Sequence, residues 1–250
     1  MKTLTNGVEY YYKDNLIIFY INHAKKMVPL FLRMLEYQRW HEVYKYKEKI
    51  DLKEFHKWFK LFNGNKQYHE LFYGLFFPHI LIKKFFNTYD FTTLNPDELK
   101  LYKMLKNEKI ITINPKEKIK FKKINFILVN NELCVLDGYD PAGVLNHELS
   151  HYFYYKNIDY REKVIDTFKA LYKKDRLEYI DEYLDIDYSF YLDDETPEIT
   201  DICDEWCAVI ISEKKKQRQL KNAYLHKPKV LKKINDLLDY YQLLYQELKL

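Results

Sequence analysis

Apolar positions in the first third of the chain recur at helical spacing. Leu16-Ile17-Ile18-Phe19-Tyr20, then Met27, Leu30, Phe31, Met34 and Leu35, fall three and four apart, which predicts helix with a break near Pro29. Asp51-Leu52-Lys53-Glu54-Phe55 reads as a further helix start, with Asp51 as cap and Glu54 at the third position, and Asn63-Gly64-Asn65 marks a turn. Tyr68 to Phe86 is dense in Phe, Tyr, Leu and Ile and reads as core; His69 and His79 within it read as packing or surface residues. Asn95-Pro96-Asp97-Glu98 combines cap, first-position proline and third-position glutamate, and predicts a helix over Glu98 to Leu105. Residues 1–108 are therefore expected to form a helical N-terminal region.

From Lys109 the pattern changes to short β-branched runs. Ile110-Ile111-Thr112-Ile113, Ile119-Lys120-Phe121 and Ile124 to Val129 predict strands, with Asn130-Asn131-Glu132 as a hairpin turn into a strand over Leu133 to Leu136. Asp140-Pro141 then opens a helix that is apolar nearly all round and is expected to be buried. Tyr160 to Lys174 and Arg176 to Leu184 read as helices, Asp185 to Glu195 as acidic and irregular, and Thr196-Pro197-Glu198 as the start of a helix to about Glu213. Residues 228–250 form an amphipathic terminal helix. The fold class expected is α+β, mostly helical, with a small sheet preceding the helix of residue 141 onward. Residues 109–250 make the second region, or one continuous domain with the first.

Composition agrees with a helical protein: 47% of the 250 residues are apolar and 18% aromatic, with only 5 Gly and 7 Pro to make turns. Lys+Arg 41 against Asp+Glu 37 leaves +4, spread along the chain, which argues against a nucleic-acid partner. The densest run, Lys214-Lys215-Lys216-Gln217-Arg218, reads as a solvated helix end. Three cysteines, Cys134, Cys203 and Cys207, support no disulfide framework, and a reducing cytoplasm is the default expectation. Leu16 to Leu32 is interrupted by His23, Lys25, Lys26 and Pro29, too much for a membrane span, and no signal peptide is visible. A protein exported without a classical signal reads the same way.

The chemistry lies in His147-Glu148-Leu149-Ser150-His151. Two histidines four apart share one helical face, so both imidazoles reach one ion, and Glu148, about 100° round the helix, can hold a water beside it. Two core histidines hydrogen-bonded to neighbours are the plain alternative. A third ligand would come from the helix over residues 197–213. Ile199, Ile202, Trp206, Val209 and Ile210 set its inner direction at about 90° from Glu205, which puts Glu205 on the inner flank. Asp204, about 100° the other way, is expected to face solvent, Asp201 to be peripheral, and Glu198 to be the geometrical rival. Cys203 and Cys207 read as small packing residues rather than ligands.

The five-residue motif resembles the zinc helix of the HExxH metalloproteases, the zincins. The resemblance implies that His147 and His151 ligate Zn2+, that Glu148 is general base and that the substrate is a peptide or protein. The metzincin branch expects Gly and His where this chain has Tyr154 and Asn157. The gluzincin branch draws a glutamate from a second helix, and Asp204-Glu205-Trp206-Cys207-Ala208 resembles that helix, with Glu205 as ligand and Asp201 as a candidate to orient a histidine. Zincins also place a sheet upstream whose edge strand pairs with substrate, and gluzincins supply a Tyr or His to the developing oxyanion, for which Tyr224 and His226 are the first candidates. The implied function is zinc-dependent peptide hydrolysis; the alternatives are a non-catalytic interaction protein on a zincin scaffold and a basic, aromatic nucleic-acid binder.

Overall fold

The computed structural model describes residues 1–39, 72–89, 92–113, 119–171 and 199–250. They form two compact units, Met1–Val144 and Leu145–Leu250. The class is α+β and mostly helical. The expected helices over residues 51–55 and 176–184, the acidic stretch 185–195, and His69 lie outside the described residues.

The first unit is built on a sheet in the order β1-β2-β3-β7-β4. Its strands are β1 (Lys2–Thr5), β2 (Val8–Lys13), β3 (Leu16–Ile21), β4 (Gly74–Phe77) and β7 (Asn125–Val129). The expectation of a helical region over 1–108 is thus corrected: the run from Leu16 is the central strand, not the first turns of a helix. It pairs antiparallel with β2 and parallel with β7, so both its edges are bonded, and with successive residues buried on both faces it loses the alternation that would mark a strand. Leu16, Ile17, Ile18, Phe19 and Ile21 are all buried. Asp14-Asn15, where Asp14 takes a positive φ of 52°, joins β2 to β3 in a tight hairpin, with Lys13 opposite Leu16.

Helix α1 (Met27–Arg39) runs through Pro29 without a break. The proline is the third helical residue, where its missing N–H has no intrahelical partner to lose. Helices α2 (His79–Thr88) and α3 (Pro96–Asn107) follow. The capping box at the start of α3 forms as expected: Asn95 Oδ1 accepts from the Glu98 N–H at 2.9 Å and Glu98 Oε2 from the Asn95 N–H at 2.7 Å. His79 begins α2, half-buried, and burial followed by Lys123 and Lys83 holds its imidazole below the usual range.

The strands expected from 109 onward divide between two sheets. β5 (Ile111–Ile113) and β6 (Ile119–Phe121) pair with each other, while β7 joins the N-terminal strands. The described residues of 1–108 therefore share one core with 125–129, and the change of pattern at 109 is not the boundary between the units. The hairpin expected at Asn130-Asn131-Glu132 is instead helix α4 (Asn131–Asp137). Asn130 caps it by accepting from the Leu133 N–H, and Gly138 ends it at φ 75°, a conformation glycine adopts without strain. Leu133 and Cys134 point inward while Val135 and Leu136 are exposed, a helical rather than alternating pattern.

Phe19 lies at the centre of this core, with ring centroids 5.0 Å from Phe31 of α1 and 5.2 Å from Phe126 of β7. Arg33 of α1 is buried and paired with buried Glu98 of α3: its Nε donates to Oε1 at 2.7 Å, one terminal nitrogen donates to Oε2, and the guanidinium lies 4.2 Å from the Tyr89 ring centroid. One carboxylate thus closes a helix cap and neutralises the cation that joins two helices.

The second unit is helical: α5 (Pro141–Lys156) from Leu145 on, α6 (Ile158–Leu171), α7 (Ile199–Ser212), α8 (Lys214–Ala223) and α9 (Pro228–Leu248). Asn157 separates α5 from α6 and accepts from the Tyr160 N–H at 2.9 Å, the capping contact that starts the second helix. Trp206, Tyr152, Tyr160, Tyr241 and Phe168 are the largest fully buried side chains described here. Among the described residues no helix is long and apolar enough to cross a membrane. Truncating Glu98 to Ala leaves a buried guanidinium without its carboxylate and is expected to cost about 3–5 kcal/mol, read from the denaturant midpoint; a loss below about 1 kcal/mol would count against the pair as an anchor.

Candidate metal centre

The histidine helix starts where its cap places it. Asp140 Oδ1 accepts from the Ala142 N–H at 3.0 Å and its carbonyl from Val144 N–H at 3.1 Å, with Pro141 as the first helical residue. The start at 141 puts His147 in the second turn and His151 in the third, their rings 4.9 Å apart at centroids and nearly perpendicular. Their Nε2 atoms face one another at 3.2 Å.

Glu205 of α7 completes the group. Its Oε1 lies 3.3 Å from His147 Nε2 and its Oε2 3.5 Å from His151 Nε2. His147, His151 and Glu205 are also grouped as potential metal ligands by distance alone. Bonds of 2.0–2.1 Å in a tetrahedron set neighbouring ligand atoms roughly 3.3–3.4 Å apart, and each of these three separations, the last two ending on different oxygens of one carboxylate, falls near that spacing. The three side chains are 22%, 14% and 20% exposed, which leaves a side of the cluster open to solvent, as a fourth, exchangeable position requires. The helix is buried only on its other faces, through Leu149, Tyr152, Phe153 and Tyr154.

Asp204 was expected to face solvent, and the structure corrects this. Its Oδ2 accepts at 3.0 Å from His151 Nδ1. A proton held on Nδ1 by that carboxylate leaves the Nε2 lone pair directed at the cluster. The helical wheel missed it because the wheel is referenced to the apolar direction of α7. Glu205 and Asp204, about 100° apart on that helix, reach the two nitrogens of one imidazole from either side. Asp204 thus makes the kind of contact considered for Asp201, whose side chain, like Glu198, lies outside the described residues.

The local charge is negative. Burial pushes the His151 imidazole down, but Asp204 first, then Glu205 and Glu148, outweigh it and carry it up to about 10. Asp204 Oδ1 is buried with no hydrogen-bond donor among the described residues. Three carboxylates around two imidazoles form a donor set that suits a divalent cation.

Glu148 is itself buried, 7% exposed, one residue past the first histidine. Cys203 and Cys207 are buried on α7 and outside the ligand group, their thiols pushed up to about 12, chiefly by burial. Tyr224 donates its hydroxyl to the Leu171 carbonyl at 3.2 Å, and His226 is exposed in the turn after α8; neither belongs to the group. No family model, no curated protein and no solved structure matches the chain, so the site is read from its own geometry.

Asp204→Asn keeps the shape of the side chain and removes the charge behind His151. Zinc affinity, measured by competition with a chromophoric chelator, is expected to fall about 10- to 100-fold. Affinity equal to that of the unaltered protein would show that the contact does not orient the ligand.

Proposed function

We propose that this protein is a zinc-dependent peptidase of the HExxH, gluzincin-like kind, with His147, His151 and Glu205 holding the ion and Glu148 as general base. The observation that carries the reading is the convergence of two imidazole nitrogens, 3.2 Å apart, on one carboxylate from a second helix, whose two oxygens lie 3.3 and 3.5 Å from them. A structural zinc site is closed by four protein ligands, whereas among the described residues this group offers three, each partly exposed. The order of elements, strands first and then the histidine helix, is also the order of a zincin-like fold.

A zinc ion bound there supplies a Lewis acid that activates water and polarises a carbonyl. The protein's own groups do the rest. Glu148, a buried carboxylate whose charge already reaches His151, accepts the proton of the attacking water on a carboxylate oxygen and passes it to the leaving amine. Asp204 keeps the His151 proton on Nδ1 and so keeps Nε2 a ligand. The partly exposed side of the group is where an extended peptide or protein chain would meet it as substrate.

Glu148→Gln is expected to retain stoichiometric zinc and to lose at least about 10²-fold in turnover, while His147→Ala loses both. The assay is cleavage across a whole proteome, with and without chelator, followed by peptide mapping. Retained turnover in Glu148→Gln would remove the general-base role. Stoichiometric zinc with no chelator-sensitive cleavage would favour the alternative, an interaction protein that keeps the scaffold without the chemistry.

A further inference from the structure

The residues immediately before each histidine are tied down from behind. Asn146 precedes His147 and Ser150 precedes His151, so this pair also lies four apart, about 100° round α5 from the ligand face. Tyr241 of α9 donates its hydroxyl to Asn146, 2.9 Å from Oδ1 and 3.2 Å from the carbonyl oxygen. The Tyr160 hydroxyl of α6 lies 3.0 Å from Ser150 Oγ and 3.2 Å from Cys207 Sγ, two residues beyond Glu205 on α7. Tyr160, Ser150 and Cys207 are fully buried and Tyr241 is 1% exposed. The two tyrosine rings lie 6.3 Å apart at centroids, and the Phe153 ring touches both.

We propose that Tyr160 and Tyr241 are positioning residues which fix the rotation of the histidine helix, and with it the convergence of His147 and His151 on Glu205. This rests on the metal reading above. The geometry sets the scale: turning a helix by about 20° moves a side-chain tip about 5–6 Å from its axis by roughly 2 Å, a whole metal–ligand bond. Hydrogen bonds of 2.9–3.2 Å behind both histidines do not survive such a turn. Tyr160 bonds to the histidine helix and to the glutamate helix through one oxygen, so it sets the separation between the two sources of ligands. Tyr241 sets the other end of the histidine pair. Burial pushes both phenols well above their ordinary range, which keeps them protonated and able to donate.

Tyr160→Phe and Tyr241→Phe keep the rings and delete the hydroxyls. Tyr240→Phe is the control, since the Tyr240 ring also lies against Tyr160, at 6.4 Å, yet its hydroxyl has no hydrogen bond among the described residues. Each protein is titrated with zinc against a chromophoric chelator and with cobalt(II), whose visible absorption reports ligand geometry. Tyr160→Phe and Tyr241→Phe are expected to bind zinc about 10-fold more weakly and to show an altered cobalt spectrum, with Tyr240→Phe unchanged. Ser150→Ala removes the partner of Tyr160 on the histidine helix and Asn146→Ala the 2.9 Å partner of Tyr241, leaving its carbonyl contact; both are expected to weaken zinc binding in the same direction, so a poorly folding tyrosine variant does not stop the test. Unaltered affinity and spectrum in the tyrosine variants, with the parent protein binding both metals, overturns the positioning role alone. A parent protein that takes up neither metal overturns the metal reading and the positioning role together.

Discussion

Two imidazole nitrogens held 3.2 Å apart on one helix face, opposite a carboxylate, are the constraint from which the second unit is understood. The Glu205 carboxylate spans both, one oxygen to each nitrogen. Without a cation, a proton shared among the group has to offset the lone pairs and the negative charge, and the carboxylates around His151 raise its affinity for that proton. A divalent ion satisfies the same set of donors with three bonds instead of one. The chemical character of the site follows from this crowding, before any reaction is considered.

Crowding of that kind has to be held in place by packing, because nothing in the cluster favours it in the absence of the ion. The back of the histidine helix is aromatic and buried: its own Tyr152 and Phe153 form it, and Tyr160 and Tyr241 reach it from other helices. A helix anchored along one side and open along the other can present polar side chains to solvent without losing its position. Buried hydroxyls are costly unless paired, so the partners of Tyr160 and Tyr241 are specified along with the rings. Positional accuracy at the open face is thus set by hydrogen bonds on the closed one.

Legibility from sequence differed between the two units for a physical reason. The ligand set is local on each helix, and the histidine spacing, Asp140-Pro141 as a start and the inner-flank position of Glu205 all follow from the helical repeat. The capping box at Asn95 and the helices around 160 and 228 follow from the same rules. Asp204 did not, because its partner is a side chain on another helix, and a wheel built on the apolar residues of α7 holds no information about where an imidazole edge lies. In the first unit the strands escaped notice where both faces are buried. Leu16-Ile17-Ile18-Phe19 has no alternation to read, and the apolar residues that follow in α1 extend a false helical period backward across it.

The misreading of Leu133 to Leu136 has a different origin and bears on the site. Asn130-Asn131 is a good hairpin turn in isolation and Val135-Leu136 a plausible strand, so local propensity alone favours β structure. What decides is the cap pair: Asn130 accepting from the Leu133 N–H at one end, Gly138 at positive φ at the other. A strand here would run straight into Asp140, whereas the short helix ends in a left-handed glycine that turns the chain before the next cap. Asp140 is then free to accept from the Ala142 and Val144 N–H groups and to start α5 at Pro141. Moving that start by two residues toward the C-terminus would bring His147 to the edge of the first turn, where backbone N–H groups are unpaired and side chains are least well held. Gly138 therefore acts on the histidines through the register of the helix it precedes, although it lies outside the group that would hold the ion.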